Sequence, residues 1–371
     1  MRCAILAHSS TDNAVAVSEL SARMQEPKLK TKPTFWIGVL AAALFLGIGS
    51  ASAETTAKKK TPAKKPATKV YSAERSLTRQ AKLARARAAL MAHEMAVTPL
   101  PRYKVDASGD LVPDVRAAAA IIYNPETNQV LWEENSQAQR SIASITKMMT
   151  AVVFMEINPD LTQPVTVARS DVFQASTTRL RANDHVTADD LMHLLLIASD
   201  NAAARALARI SPFGSEGFVG RMNEKAVELG LNSTHYADPS GLLSDNVSSA
   251  YDMARLIAHV SSDDRIASIM RTYEYTVYTG NRTVTFHSTN HLLGHSGVDV
   301  LAGKTGFINA AGYCLATLLR LPSSNQQVAV VVLGARSNAS RFMETENLFT
   351  WLSSKASTLF ATSKPVVPEP Q

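Results

Sequence analysis

The sequence predicts an α/β fold of the α+β type: an antiparallel sheet flanked by helices, with a helical subdomain inserted between its strands. Three observations predict it. Apolar strand patterns stand at Ala117–Tyr123 and Gln129–Glu133, and the next ones come only after residue 272. Helix-patterned stretches with capping residues fill the interval. A final helical pattern, Glu344–Phe360, closes the region. Strands from the two ends must meet in one sheet, which leaves the intervening helices to cover it.

Each element has a local cause. The first two strands bracket Asn124-Pro125-Glu126-Thr127-Asn128, a hairpin turn by composition. Ile145–Glu156 is an apolar helix without a breaker. Thr187-Ala188-Asp189-Asp190 sets a capping hydroxyl ahead of an acid and starts a helix running to Ala198. Asn201–Ile210 and Gly217–Leu229 follow, the latter stopped by Gly230. Ser249-Ala250-Tyr251-Asp252 opens another helix at 250–261. Strand patterns at Tyr273–Tyr278, Thr283–His287, Val298–Lys304, Gly312–Leu319 and Gln327–Gly334 complete the sheet.

The 371 residues carry 38 Lys+Arg against 32 Asp+Glu, a formal net charge of +6 that suggests nucleic acid. Its distribution removes that reading. Residues 105–371 are acidic at −6, and residues 1–104 hold +12. Lys28, Lys30 and Lys32 precede a 14-residue apolar run, Phe35–Ile48, and Ala51-Ser52-Ala53 follows. A basic region, a short apolar stretch and an A-x-A site make a secretory signal, with cleavage expected after Ala53 and export to the periplasm or cell envelope. A membrane anchor would need about 18 or more apolar residues. Residues 1–23 lengthen the leader unusually, so Met24 is the expected start. Residues 54–104 form a basic linker. Its Lys58–Pro66 tract lacks an apolar pattern and is expected to be extended, suited to anionic envelope polymers. Ser72 caps a helical pattern through residue 95. Residues 363–371 are a Pro-rich tail. The two cysteines, Cys3 and Cys314, supply neither a disulfide framework nor a four-ligand zinc site, and no cofactor is implied.

The chemistry sits in three short motifs. Ser144-Ile145-Thr146-Lys147 is the only S-x-x-K. Residues three apart share a helix face, so Lys147 lies beside the Ser144 hydroxyl. A serine needs a base to become a nucleophile, and a lysine serves if burial lowers its pKa. Lys304-Thr305-Gly306 is also unique and stands at the end of a predicted strand, where glycine admits a ligand to the backbone. Ser-Asp-Asn occurs twice, at 199–201 and 244–246. The first follows an apolar helix and opens another, so Ser199-Asp200-Asn201 is taken as the site. The second opens a helix, where a turn role suffices.

S-x-x-K, S-D-N and K-T-G in this order form the set of penicillin-binding proteins and class A β-lactamases. Ala143–Thr150, Leu229–Asn232, Asp238-Pro239-Ser240-Gly241-Leu242 and Asn290–Leu293 resemble the D-alanyl-D-alanine carboxypeptidase family. Gly303–Cys314 resembles its D-alanyl-D-alanine endopeptidase branch. The resemblance covers about residues 110–360. It implies a β-lactamase/penicillin-binding-protein transpeptidase-like fold and an exported serine-type D,D-peptidase, with domain limits of 105–362. The implied substrates are peptidoglycan stem peptides and crosslinks, and β-lactam antibiotics are implied as acylating inhibitors.

By the same resemblance Ser144 attacks the carbonyl following a D-alanine and Lys147 takes its proton. Ser199 relays a proton to the leaving amine, while Asn201 and Lys304 hold the lysine, the serine and the substrate. Thr305 and Gly306 bind the substrate, and the N–H groups of Ser144 and Phe307 form an oxyanion hole, a stabilisation of about 3–4 kcal/mol. Arg341 is the implied carboxylate-binding arginine, through bidentate pairing; otherwise it is a solvated loop residue. Crosslink endopeptidase is favoured over carboxypeptidase by the branch wording. The 30 residues after Arg341 also leave no room for the further β domain and anchor of larger carboxypeptidases.

Two patterns compete with this reading. Glu228-Leu229-Gly230-Leu231-Asn232 matches E-x-x-L-N, the surroundings of the deacylating glutamate of class A β-lactamases, but it ends a helix at Gly230. His287, His291 and His295 have a helical metal-ligand spacing. Gly294 and Gly297 favour a loop there. A class A-like β-lactamase and a penicillin or muropeptide sensor without turnover are the alternative functions. If the leader is removed as expected, mass spectrometry of the exported protein finds Glu54 at its N-terminus; retention of Phe35–Ile48 reverses that expectation.

Overall fold

A computed structural model describes residues 81–86, 89 and 102–361 apart from 296 and 323. The expected signal segment, most of the linker and the Pro-rich tail lie outside these described residues. Of the helix expected over 72–95, residues 81–86 and 89 are described, and they are helical and exposed.

Five strands make the central sheet: β1 (Ala119–Asn124), β2 (Gln129–Glu134), β3 (Asp299–Ile308), β4 (Gly312–Arg320) and β5 (Gln327–Ala335). Their order is β3-β4-β5-β1-β2, antiparallel throughout. The N-terminal hairpin thus joins the C-terminal meander through β5 and β1, as expected from strands at both ends. In the β1–β2 turn the Asn124 side chain accepts from the Glu126 and Thr127 N–H groups, and Asn128 takes φ +59°. That combination is the asparagine turn chemistry read from the sequence.

Strand alternation divides the core in two. Ala119, Ile121, Ala329, Val331 and Leu333 face the helical insertion. Ala120, Ile122, Val328, Val330 and Val332 face the closing helix. The insertion comprises α1 (Lys147–Glu156), α2 (Ala188–Leu196), α3 (Asn201–Ile210), α4 (Gly214–Glu228), α5 (Ala250–Ser261) and α6 (Asp264–Arg271). Its Met148, Val153, Leu191, Leu195, Leu207, Met253 and Ile257 form the first core layer with the sheet. The closing helix α7 (Asn338–Ala361) supplies Phe342, Leu348, Phe349 and Leu352 to the second. Because both faces are covered, the inner strands are buried nearly residue for residue rather than alternately.

Capping sets the helix starts. Thr187 and Asp190 exchange side-chain and backbone hydrogen bonds at α2, and the Ser249 hydroxyl accepts from Asp252 N–H at α5. Gly230, at φ +64°, follows the end of α4 as expected.

Several segments differ from the sequence expectation. The strands Glu274–Tyr278 and Thr283–His287, expected to complete the sheet, pair with each other in a separate two-stranded sheet. Helix α6 was not expected, since Asp263 caps only eight residues of it. Helix α7 begins six residues earlier than Glu344, so Arg341 lies in its first turn rather than in a loop. Strand β3 continues to Ile308, so Lys304-Thr305-Gly306 is interior to it. The cross-strand pairs Lys304–Ala316, Thr305–Leu315 and Gly306–Cys314 carry the ladder through the motif. Leu352 is fully buried in the second layer. Leu352→Ala is expected to lower unfolding free energy by about 2–5 kcal/mol in a denaturant titration.

Candidate active site

Strand β3 is an edge of the sheet, and one face of it lies against the turn before α1. Ala143–Thr146 form a 3-10 turn that runs directly into α1. In such a turn residues three apart eclipse one another. Ser144 Oγ therefore accepts a hydrogen bond from Lys147 Nζ at 2.9 Å. Ala143 is held at φ +49°, in the left-handed region that side chains disfavour, one residue before the serine.

Helix α3 supplies the next groups. Ser199 sits at φ +57° in the α2–α3 junction, and Asp200 caps α3 by accepting from Ala203 N–H. Asn201, the first residue of α3, accepts from Lys147 Nζ at 2.6 Å and donates from Nδ2 to Ala175 O at 2.7 Å. From the opposite wall Lys304 Nζ donates to Ser199 Oγ at 2.8 Å and to Thr305 O at 2.9 Å. Ser144, Lys147, Ser199, Asn201, Lys304 and Thr305 thus converge, as the motif order implied.

Gly306 explains how the strand approaches so closely. A Cβ there would lie 2.7 Å from Ile142 O and 3.1 Å from Ser144 N. Real side chains do not reach such distances, so only glycine lets β3 lie against the nucleophile turn. The resulting cleft, about 500 Å³, is lined by Ser144, Ser176, Thr177, Ser199, Asn201, Thr289, Thr305, Phe307 and Arg341 among others.

Residues 106–337 match the family described as D-alanyl-D-alanine carboxypeptidase. The chain belongs to that family. It is a serine-type D-Ala-D-Ala peptidase, a hydrolase. It is 34% identical to the D-alanyl-D-alanine endopeptidase of Escherichia coli over 65% of this chain and 78% of that one. A D-alanyl-D-alanine carboxypeptidase of Bacillus subtilis is 31% identical over 61% of this chain and 59% of its own length. The crystal structure of the Streptomyces K15 DD-transpeptidase superposes with a TM-score of 0.60 at 28% identity, covering 64% of this chain and 97% of that one.

The electrostatics of the peptidase follow from burial. Burial lowers the Lys147 pKa to about 7, with nearby Asp200 and Asp238 raising it and Arg205 lowering it further. Lys304 is pushed well below the usual lysine range by burial and by the positive fields of Lys147 and Arg341. Neither ammonium touches a carboxylate; both are met by neutral oxygens. A lysine so placed can take a proton near neutral pH.

Arg341 differs from the free fork that bidentate pairing needs. Its Nη1 donates to Gly306 O and Cys314 O, both at 3.1 Å, and its Nη2 donates to Asn338 Oδ1. Buried Nε has no hydrogen-bond partner. The guanidinium also lies over the Phe342 and Tyr313 rings, at 4.9 and 5.6 Å from their centroids. Arg341 therefore clamps β3 to β4 from the first turn of α7, with Nη1 and Nη2 both engaged by the protein itself. Phe307 is half exposed at the cleft mouth and stacks on Tyr313 at 4.2 Å.

Of the competing patterns, Glu228 ends α4 paired with Arg221 and Lys225, away from the cleft lining. His287 ends a strand paired with Glu274, and His291 stacks on Phe342, so the three histidines share no helix. Asn246 of the second Ser-Asp-Asn is buried in the turn after Asp238. Sequence reasoning missed Thr289, whose hydroxyl lies 2.6 Å from that of Thr305, and the Ser240 carbonyl, which accepts from Lys147 Nζ at 2.5 Å. Thr289 stands one residue before the Asn290–Leu293 resemblance, a position with no motif of its own. A backbone carbonyl leaves no signature in a side-chain pattern. Gly241, at φ +77°, would place a Cβ 2.1 Å from Ala143 O. Gly241→Ala is expected to displace the turn and cut acylation of Ser144 by at least about tenfold, read by penicillin labelling.

Proposed function

We propose that the peptidase hydrolyses D-alanyl crosslinks of peptidoglycan through an acyl-enzyme on Ser144 and is acylated there by penicillin. The carrying observation is the buried Lys147, hydrogen-bonded to Ser144 Oγ and Asn201 Oδ1 with its pKa lowered to about 7. Neutral Lys147 accepts the Ser144 proton as Oγ attacks the carbonyl that follows a D-alanine. The backbone N–H groups of Ser144 and Phe307 receive the developing oxyanion. Protonated Lys147 returns that proton through Ser199, which Lys304 holds, to the leaving amine, so Lys147 is neutral again. Water then attacks the ester, Lys147 again serves as the base, and Ser144 is released. The substrate's chain lies along the free edge of β3, with Thr305 and the positive charge of Arg341 on the side of its carboxylate.

Endopeptidase action is supported by the names of relatives in Escherichia coli and Pseudomonas aeruginosa, each called D-alanyl-D-alanine endopeptidase at 34% and 33% identity. Export across the membrane puts the enzyme beside this substrate, with the basic linker drawn to anionic envelope polymers. Among the described residues the cleft lining includes no aspartate or glutamate, which disfavours the lactamase reading, because that reaction activates its water on a carboxylate.

Incubation of the mature protein with purified muropeptides is expected to convert crosslinked dimers into monomers. Loss only of terminal D-alanine from pentapeptides makes it a carboxypeptidase instead. Fluorescent penicillin is expected to label the wild type stably and Ser144→Ala not at all. Rapid antibiotic hydrolysis identifies a lactamase, and stable labelling without muropeptide cleavage a sensor. Since protonated Lys147 cannot act as base, the acylation rate falls about tenfold per unit below a pH near 7.

A further inference from the structure

The turn from Asp238 to Asn246 has no part in the proposed steps beyond its contact with the base. The Ser240 carbonyl accepts from Lys147 Nζ at 2.5 Å, and the Ser144 hydroxyl lies 3.5 Å from the same oxygen. That carbonyl is held by one carboxylate. Asp238 Oδ1 accepts from the N–H groups of Ser240 at 2.6 Å and Gly241 at 2.9 Å, and from the Ser240 hydroxyl at 2.5 Å. Its Oδ2 accepts from Leu243 N–H at 2.8 Å and Asn246 Nδ2 at 2.7 Å. Asn246 Oδ1 in turn accepts from Ala237 N–H at 3.1 Å. The preceding carbonyl, of Pro239, accepts from Thr150 Oγ1 on α1 at 2.6 Å. Five donors on one carboxylate leave the turn a single conformation, aimed at the lysine.

We propose that Asp238, oriented by Asn246, is the positioning residue of the general base: it fixes the Ser240 carbonyl on Lys147 Nζ and places one negative charge close behind it. The arrangement is a nucleophile, a base and an orienter, in which the orienter acts through a backbone carbonyl rather than by direct contact. It also assigns a use to the second Ser-Asp-Asn, whose asparagine holds the carboxylate. The inference rests on the acyl-enzyme reading above.

Burial pushes the Asp238 carboxyl up, but its hydrogen bonds from Ser240, Leu243 and Asn246 outweigh that and hold it below the usual value. It is therefore an anion at neutral pH and favours charged Lys147. The other charged groups around that lysine are Asp200 and Arg205 on α3 and Lys304 on β3. Removing the Asp238 charge leaves Lys147 with less to stabilise its ammonium, so its pKa falls and neutral base persists to lower pH.

The test is the second-order rate of acylation by fluorescent penicillin across pH, with the full mature protein. Asp238→Asn keeps the shape but sets an amide N–H₂ against one of the two donor groups. The expected result is a plateau rate lowered at least about tenfold and an acid limb moved to lower pH by at least about half a unit. A folded variant whose limb stays at the wild-type pH overturns the proposal, because a merely structural turn changes the plateau alone. Asn246→Ala keeps the charge and loosens its hold, and its plateau is expected to fall several-fold. If Asp238→Asn does not fold, wild-type acylation in Asn246→Ala overturns the proposal. Absence of labelling in the wild type defeats the acyl-enzyme reading instead, so the two failures are distinguishable.

Discussion

A lysine ammonium buried without a touching carboxylate is the constraint around which this molecule is arranged. Lys147 is fully buried and meets only neutral oxygens, those of Ser144, Asn201 and the Ser240 backbone. Desolvation without a paired charge lowers the lysine's proton affinity, which turns a surface cation into a base near neutral pH. Each oxygen comes from a different element: the turn before α1, the start of α3, and the loop after Asp238. Their meeting point requires the helical insertion to be packed against the sheet before any chemistry is available.

The sheet contributes by having an edge where the cleft lies. β3 has β4 on one side and a free edge on the other, and its glycine at 306 removes the side chain that would hold the Ser144 turn off the strand's face. Arg341 links the closing helix to the cleft, since α7 brings its guanidinium to the carbonyls of Gly306 on β3 and Cys314 on β4. The second core layer therefore positions the cleft as well as stabilising the fold.

Much of this was legible in the residues. Periodicity and caps located the apolar helices, because each signal is local: Thr187 with Asp190, Ser249 with Asp252, Gly230 past a helix end. The convergence of Ser144, Lys147, Ser199, Asn201 and Lys304 was legible too, since each motif is short and its internal spacing matches one turn or one junction. Element limits were less so. Strand β3 runs through Lys304-Thr305-Gly306 because β4 continues the ladder beyond it, and α7 starts early because Ser337 and Ser340 exchange hydrogen bonds at its first turn.

The sequence by itself determined the fold class, from strand patterns at both ends of the domain, and the contact of Ser144 with Lys147, from residues one turn apart. Only the tertiary structure decided that Arg341 clamps two strands rather than standing free, and that Thr289 and the Ser240 carbonyl touch the site residues. Those outcomes depend on burial, on backbone groups and on contacts across 16 to 93 residues of chain, from Thr289–Thr305 to Lys147–Ser240. Such contacts form only when the sheet and the insertion close on one another, and no local spacing carries them.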